Sequence, residues 1–407
     1  MDKEALKSLA KEALMTPQEE MLEVGRKGKK LYIGIPKENS FQENRVALVP
    51  EAVNLLASRG HHVVIEKGAG EKANFSDSDY SEAGAEIVAD PKQVYQANII
   101  LKIAPPTESE IEMMNRGNIL FSALQLSVQP RTLLKQLMQK KITAIAWDYI
   151  RDEEGIFSVI RSMGEIAGNT SVLIAAEYLS NANKGKGLMM GGIAGTSPTE
   201  VVVIGAGTVG EFATRAALGL GASVKVFDNS TYRLRRLQND LGTRVWTSIL
   251  QPKVLEKALM RADVAVGAIR AKGGRTPCVV TEEMVQGMKE GSVIVDVAID
   301  QGGCFETSEV TNHDSPTFTK HGVIHYCVPN IASRVSRTAS FALSNIFSPI
   351  ILHIAEEGGC ENVIGKDPGF RGGVYLYNGT LTSRILGETF KLPYKDIDLL
   401  MAAHRRS

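Results

Sequence analysis

The apolar positions of this chain fall into two series of short runs separated by stretches with helical spacing. In the first series, runs at 31–35, 62–66, 99–103, 119–123 and 142–147 read as buried strands. Helix-like stretches lie between them at 50–59, 78–83, 91–97, 108–114 and 131–140. Alternation of this kind predicts a parallel sheet with helices packed on it. A helix over 164–179 and a glycine-rich loop over 185–198 lead into the second series. Its strands are predicted at 201–204, 223–227, 244–247, 264–268, 293–297 and 323–326, with helices near 231–241, 252–260 and 281–289. After Asn330 the pattern changes to longer helical text over 338–356. Residues 1–30 stand apart: Leu6, Leu9, Ala10, Ala13 and Leu14 form one helical face, which Pro17 ends.

The second series opens on the most informative stretch. Val201-Val202-Val203-Ile204 reads as a fully buried strand, and Gly205-Ala206-Gly207-Thr208-Val209-Gly210 follows it at once. Gly205 permits a tight turn, Gly207 lets the backbone approach a pyrophosphate, and Gly210 lets helix and strand pack closely. The helix N-terminus then presents unpaired N–H groups to the phosphates. The next strand ends in Asp228, close to the ~20-residue spacing of an acid that binds a ribose 2′-hydroxyl. Strand, glycine turn, helix and acid together predict a bound dinucleotide. Asp228 favours NAD over NADP, because it repels a 2′-phosphate; Arg233, Arg235 and Arg236 nearby moderate that preference. The expected architecture is α/β, with two Rossmann-like domains built on parallel sheets. The cofactor domain, 161–336, is inserted into a discontinuous substrate domain, 31–160 and 337–407, and the active site lies in the cleft between them.

Charge and composition narrow the partners. Lys plus Arg (46) balances Asp plus Glu (46), so no net field recruits nucleic acid or an anionic membrane. The uncharged run 338–355 contains several serines and Pro349, which reads as a buried helix and not a bilayer span. Cys278, Cys304, Cys327 and Cys360 are scattered without a CxxC pair, which argues against a zinc site or disulfide framework and fits a reducing cytoplasm. None of the 7 histidines lies between His62 and His313, so most strand ends lack the usual general base. The candidates for chemistry are Arg45, able to clamp a carboxylate, Lys102, a lone cation in an apolar strand, and Asp300, at the end of a strand that precedes two glycines. Asp296, in the same strand, reads as the cap of a neighbouring helix or loop.

Several stretches together resemble the alanine dehydrogenase and pyridine nucleotide transhydrogenase family. They are Gly34-Ile35-Pro36-Lys37-Glu38 with Glu43-Asn44-Arg45-Val46-Ala47, Gly68-Ala69-Gly70, Leu101-Lys102, the fingerprint above, Val295 to Cys304, and Val328-Pro329-Asn330. The run from Asp296 to Glu306 is similar to the dehydrogenases in particular. The resemblance implies NAD-linked, reversible oxidative deamination of L-alanine to pyruvate and ammonium in a homohexamer. It implies that Arg45 and Lys102 bind the substrate carboxylate and carbonyl, that Asp300 is the acid near the nicotinamide, and that Asn330 lies beside its carboxamide. Ala268 and Ile269 join the fingerprint residues on the cofactor side. The position of the family's catalytic histidine holds Gln125, a neutral amide that cannot titrate near pH 7. Proton transfer then falls to Asp300 or to a Lys102 whose pKa burial has lowered. The alternatives are an NAD-binding homologue without turnover, a reductase of another imino acid, and a transhydrogenase-type subunit.

Overall fold

The computed structural model describes residues 28–40, 42–124, 131–270 and 275–404. The expected N-terminal helix and Gln125 lie outside the described residues. Fifteen strands form two sheets among them. The first eight-stranded sheet takes β1 (Tyr32–Ile35), β2 (His62–Glu66), β3 (Glu86–Val88), β4 (Ile99–Leu101), β5 (Ile119–Ser122) and β6 (Thr143–Ala146). The second, of seven strands, takes β7 (Glu200–Ile204), β8 (Ser223–Phe227), β9 (Trp246–Ser248), β10 (Val264–Gly267), β11 (Val293–Asp296), β12 (Thr317–Lys320) and β13 (Val323–Tyr326). The remaining two, β14 (Val374–Tyr377) and β15 (Thr380–Leu381), add to the edge of the first sheet through β6.

Continuous apolar runs are what strands covered on both faces require. Ile99 and Leu101 of β4 face one core with Ile33 and Phe121, while Ile100 faces another with Leu120 and Leu137. Val201 and Val203 of β7 divide from Val202 and Ile204 in the same way. The uncharged run 338–355 forms most of the helix Ser336–Glu356. Its Leu343, Phe347, Ile351 and Ile354 are buried in the core of the first sheet. The stretch Ile331–Glu356 is long and apolar enough to cross a bilayer by length and composition, and half of its most apolar window is buried in the fold.

The structure differs from the expectation at the edges. β12 runs antiparallel to β13, and β14 runs antiparallel to β6 and β15, so both sheets are mixed, though mostly parallel. β3 and β12 escaped sequence reading because they are three- and four-residue edge strands, partly exposed, with too little apolar text to show a period.

The strand orders are β15-β14-β6-β5-β4-β1-β2-β3 and β12-β13-β11-β10-β7-β8-β9. Each order reverses once near its centre, between β1 and β4 in the first sheet and between β7 and β10 in the second. Crevices open at such switch points, beyond the carboxyl ends of the strands. The helix Ser158–Leu179 connects the sheets; it begins at Ser158, ahead of the expected 164. It packs on the helix Thr208–Gly219 that follows the fingerprint strand. At their crossing a Cβ on Gly168 would lie 2.4 Å from the Val209 carbonyl oxygen and 2.8 Å from the Ala213 nitrogen. Backbone on both sides leaves no side chain free to yield. Gly168→Val therefore forces the helices apart, with an overpacking cost of about 1–3 kcal/mol or more. Thermal denaturation should show a lower midpoint, and dinucleotide affinity should fall with it because Val209 belongs to the fingerprint turn.

Candidate active site

The second sheet's switch point carries the glycine turn. Gly205 has φ 114°, the left-handed side that a glycine adopts without strain. A Cβ at Gly210 would sit 1.8 Å from the Gly205 carbonyl oxygen, so helix and turn touch through backbone alone. A Cβ at Gly207 would meet nothing within 4 Å, which leaves the start of the helix bare on one side. Thr208 and Val209 begin the helix, whose first N–H groups have no partner within it. This cradle fits a pyrophosphate. Asp228, at the end of β8, is buried; its Oδ2 accepts from the Ala206 amide at 2.8 Å and its Oδ1 from the Ser230 amide at 2.7 Å. Arg233 Nη1 lies 3.6 Å from Asp228 Oδ2, and Arg236 pairs with Glu211 and Asp240, each at 3.6 Å. Two of the three arginines near the ribose site therefore already face acids.

The first sheet's switch point gathers the charges. Arg45 follows β1 and is buried. Its Nε and Nη2 meet Glu43 Oε1 and Oε2 at 2.7 and 2.6 Å, and Nη1 meets Met163 Sδ at 3.2 Å. The pair with Glu43 is thus a buried side-on fork, and it leaves N–H bonds on Nη1 and Nη2 for a ligand carboxylate. Burial alone would raise the Glu43 carboxyl; the Arg45 guanidinium overrides it and holds that pKa down.

Lys102 follows β4. Its Nζ lies 3.1 Å from Glu38 Oε2 and 3.0 Å from Glu110 Oε1, and the residue is 1% exposed. This corrects the expectation of a lowered pKa. Burial does oppose the charge, but the two carboxylates outweigh it and hold the lysine pKa up. Glu38 goes the other way, because burial raises its pKa more than Lys102 lowers it.

Between the two sheets lies a cleft of about 260 Å³, lined by Arg45, Met163, Val209, Ala268, Ile269, Asp300 and Asn330 among others. Asp300 Oδ1 accepts from the Asn330 amide at 2.9 Å. Asn330, at φ 56°, turns its side chain back, and Nδ2 reaches Glu43 Oε2 at 3.0 Å. Asp300, Asn330, Glu43 and Arg45 therefore form one polar chain from the second sheet to the first. Asp300 is exposed to the cleft. The protein packed around its carboxyl still disfavours the charge and pushes its pKa up against the pull of the Asn330 N–H and the Arg45 charge. Asp296 caps the turn that carries Asp300, as its position suggested: it accepts from the Ala298, Cys304 and Phe305 amides and from Ser308 Oγ.

The fold thus brings Arg45, Val209, Ala268, Ile269, Asp300 and Asn330 to one cleft. Lys102 is not among the residues that line it. Sequence reasoning missed Glu38 and Glu110 as partners of Lys102, although Glu38 stands in the charged text after β1. It also missed Arg270, which lines the cleft, and Asp148, after β6. Asp148 Oδ1 accepts from the Leu124 amide at 3.2 Å, and burial pushes its pKa up to about 6. Nothing in the text Ala146-Trp147-Asp148 signals either property.

Comparison with known proteins places this architecture. The N-terminal domain of the alanine dehydrogenase/PNT family matches residues 34–167, and its C-terminal domain matches 171–384. The chain belongs to the alanine dehydrogenase/PNT family. It is 42% identical to an alanine dehydrogenase of Methanococcus maripaludis over 89% of this chain and 98% of that protein. It is 40% identical to an alanine dehydrogenase of Mycolicibacterium smegmatis over 91% of this chain and 100% of that protein. A solved L-alanine dehydrogenase superposes with a TM-score of 0.83 at 36% identity, covering 88% of this chain and 99% of that one. A transhydrogenase from Sinorhizobium meliloti superposes less closely, with a TM-score of 0.73 at 26% identity. Apart from the first two residues of β1, both sheets of this alanine dehydrogenase/PNT chain fall within the matched domains, so the two switch points belong to the family fold.

The buried acid at the end of β8 generates a test. Asp228→Ser removes the charge that opposes a 2′-phosphate and frees Arg233 from its acid. Titration with both dinucleotides should show a clear preference of the wild type for NAD and a narrower gap in the variant. Equal wild-type affinities would refute the role of Asp228.

Proposed function

We propose that this protein is an NAD-dependent alanine dehydrogenase, converting L-alanine, NAD and water to pyruvate, ammonium, NADH and a proton, reversibly. The observation that carries the reading is the polar chain Asp300–Asn330–Glu43–Arg45 across the cleft, next to the dinucleotide turn. The relatives named above support alanine as substrate. The dehydrogenase aligns more closely than the transhydrogenase, which favours deamination over a transhydrogenase-type role.

NAD, when bound, supplies the hydride acceptor for the alanine Cα. The chain's own residues do the rest. Arg45 orients the substrate carboxylate with the N–H bonds that Glu43 leaves free. Lys102, held positive, donates to the oxygen that becomes the pyruvate carbonyl and stabilises negative charge there. It does not serve as the general base. Asp300 is the carboxyl in the cleft whose pKa burial raises, and it exchanges protons with the substrate nitrogen or with water. Asn330 fixes Asp300 through its amide and sits beside the nicotinamide. Gln125 contributes a hydrogen bond without titrating.

The domain assignment proposed with this function keeps 31–160 and 337–407 as the substrate domain and 161–336 as the cofactor domain. The addition of β14 and β15 to the first sheet supports it. The scattered free cysteines support a cytoplasmic setting. We further propose a homohexamer. Leu173, Met189 and Ile193, at 56%, 59% and 68% exposure, offer apolar surface to be covered on assembly.

One steady-state series tests the roles. Lys102→Ala and Asp300→Asn should each lose on the order of 10²–10⁴-fold in alanine turnover. Gln125→Ala should lose less, consistent with one hydrogen bond worth about 1–3 kcal/mol. An equally active Lys102→Ala would refute the lysine's role. A silent wild type, woken by Gln125→His, would favour an NAD-binding homologue that has lost turnover. Light scattering should return a multiple of the 44.1 kDa chain mass, and a value at one chain would refute assembly.

A further inference from the structure

Lys102 is held by more than two ion pairs. Glu38 gives Oε2 to Lys102 and accepts the Ile103 amide at 2.6 Å with Oε1. Glu110 gives Oε1 to Lys102 and accepts the Thr107 amide at 2.7 Å with Oε2. Each carboxylate is thus fixed to backbone by one oxygen and to the ammonium by the other. The Ile103 amide is adjacent in the chain to Lys102, and Thr107, whose hydroxyl accepts from the Glu110 amide, is the N-cap of the short helix Glu108–Met113 that carries Glu110. Glu38 is 6% exposed and Glu110 5%, so both carboxylates are shielded from bulk solvent. A fold that needed only to tolerate one lysine would not bury two carboxylates around it, since each buried charge adds a desolvation cost.

We propose that Glu38 and Glu110 are positioning residues that lock the Lys102 ammonium in one orientation, with two of its three N–H bonds committed to them and the third left for the substrate oxygen. The inference rests on the reading of Lys102 as a substrate ligand. It explains how a lysine on a flexible four-carbon stem acts as a fixed donor. The clamp also keeps the charge in place. Besides the two carboxylates, Glu66 on β2 and Tyr95 face the same cluster, and Lys37 neutralises Glu66 in part. Glu43, Arg45 and Lys72 adjoin Glu38 on its far side. With both clamp carboxylates present, their attraction outweighs burial and Lys102 stays protonated through the working pH range. With one removed, burial gains and the lysine pKa falls. A neutral amine then forms as pH rises, and the charged donor is lost.

The test compares pH profiles of pyruvate amination, with NADH and ammonium, for wild type, Glu38→Gln and Glu110→Gln. Both substitutions keep shape and remove charge. The variants should show an alkaline limb at lower pH than the wild type, with rate falling about tenfold per pH unit above the new pKa. Profiles of both variants that match the wild type in shape, merely scaled, would overturn the proposal. Should a variant fail to fold, or the wild type fail to turn over, the stability cycle decides. In the variant Glu38→Gln/Glu110→Gln the buried lysine has lost both carboxylates; adding Lys102→Met removes that charge and should recover most of the melting temperature the two substitutions lose. No recovery would overturn the clamp. A fully active Lys102→Ala would instead refute the substrate role on which the inference rests.

Discussion

Burial of charge at the carboxyl ends of a parallel sheet constrains everything near the cleft. An arginine and a lysine there are tolerable only when each meets a fixed counter-charge. Glu43 serves Arg45, and Glu38 with Glu110 serves Lys102. These acids are in turn fixed by backbone or side-chain N–H groups, from Ile103, Thr107 and Asn330. The result is a set of cations whose positions and protonation are settled before a substrate arrives. Preorganised charge of this kind stabilises developing charge without reorganisation during the reaction.

The dinucleotide side depends on a different constraint, close approach of backbone to backbone. Gly205, Gly210 and Gly168 each stand where a side chain would strike a peptide group. Their absence of side chain lets the connecting helix, the fingerprint helix and β7 pack as one block. The block carries Val209 into the cleft opposite Arg45. Asn330 then ties the block to the first sheet through Glu43, so the dinucleotide side of the cleft and the Arg45 side share one hydrogen-bonded chain.

The fold was legible where the physics is local. Buried parallel strands need unbroken apolar runs, and those runs marked β1, β2, β4 to β8, β10, β11 and β13 within a residue or two. The short edge strands β3, β12 and β15 left no such mark, and the buried run of β14 lies outside the alternating series and was passed over. The candidate site was legible in part. Arg45 and Asp300 could be named because each follows a strand of the expected kind, and Asp296 could be read as a cap. The state of Lys102 could not be read, since a cation in an apolar strand looks the same whether its pKa falls in isolation or is held up by partners.

By itself the sequence determined the alternating α/β plan, the dinucleotide turn and the acid that follows it, because a tight glycine turn, a buried strand and a helix start are each fixed by residues within a few positions of one another. Only the tertiary structure decided how the charges are paired. Glu38 lies 64 residues from Lys102 in the chain and Glu43 lies 287 from Asn330. No local pattern records such meetings. The reversal of strand order at the two switch points brings them about, and the electrostatics of the site follow from which groups that reversal sets side by side.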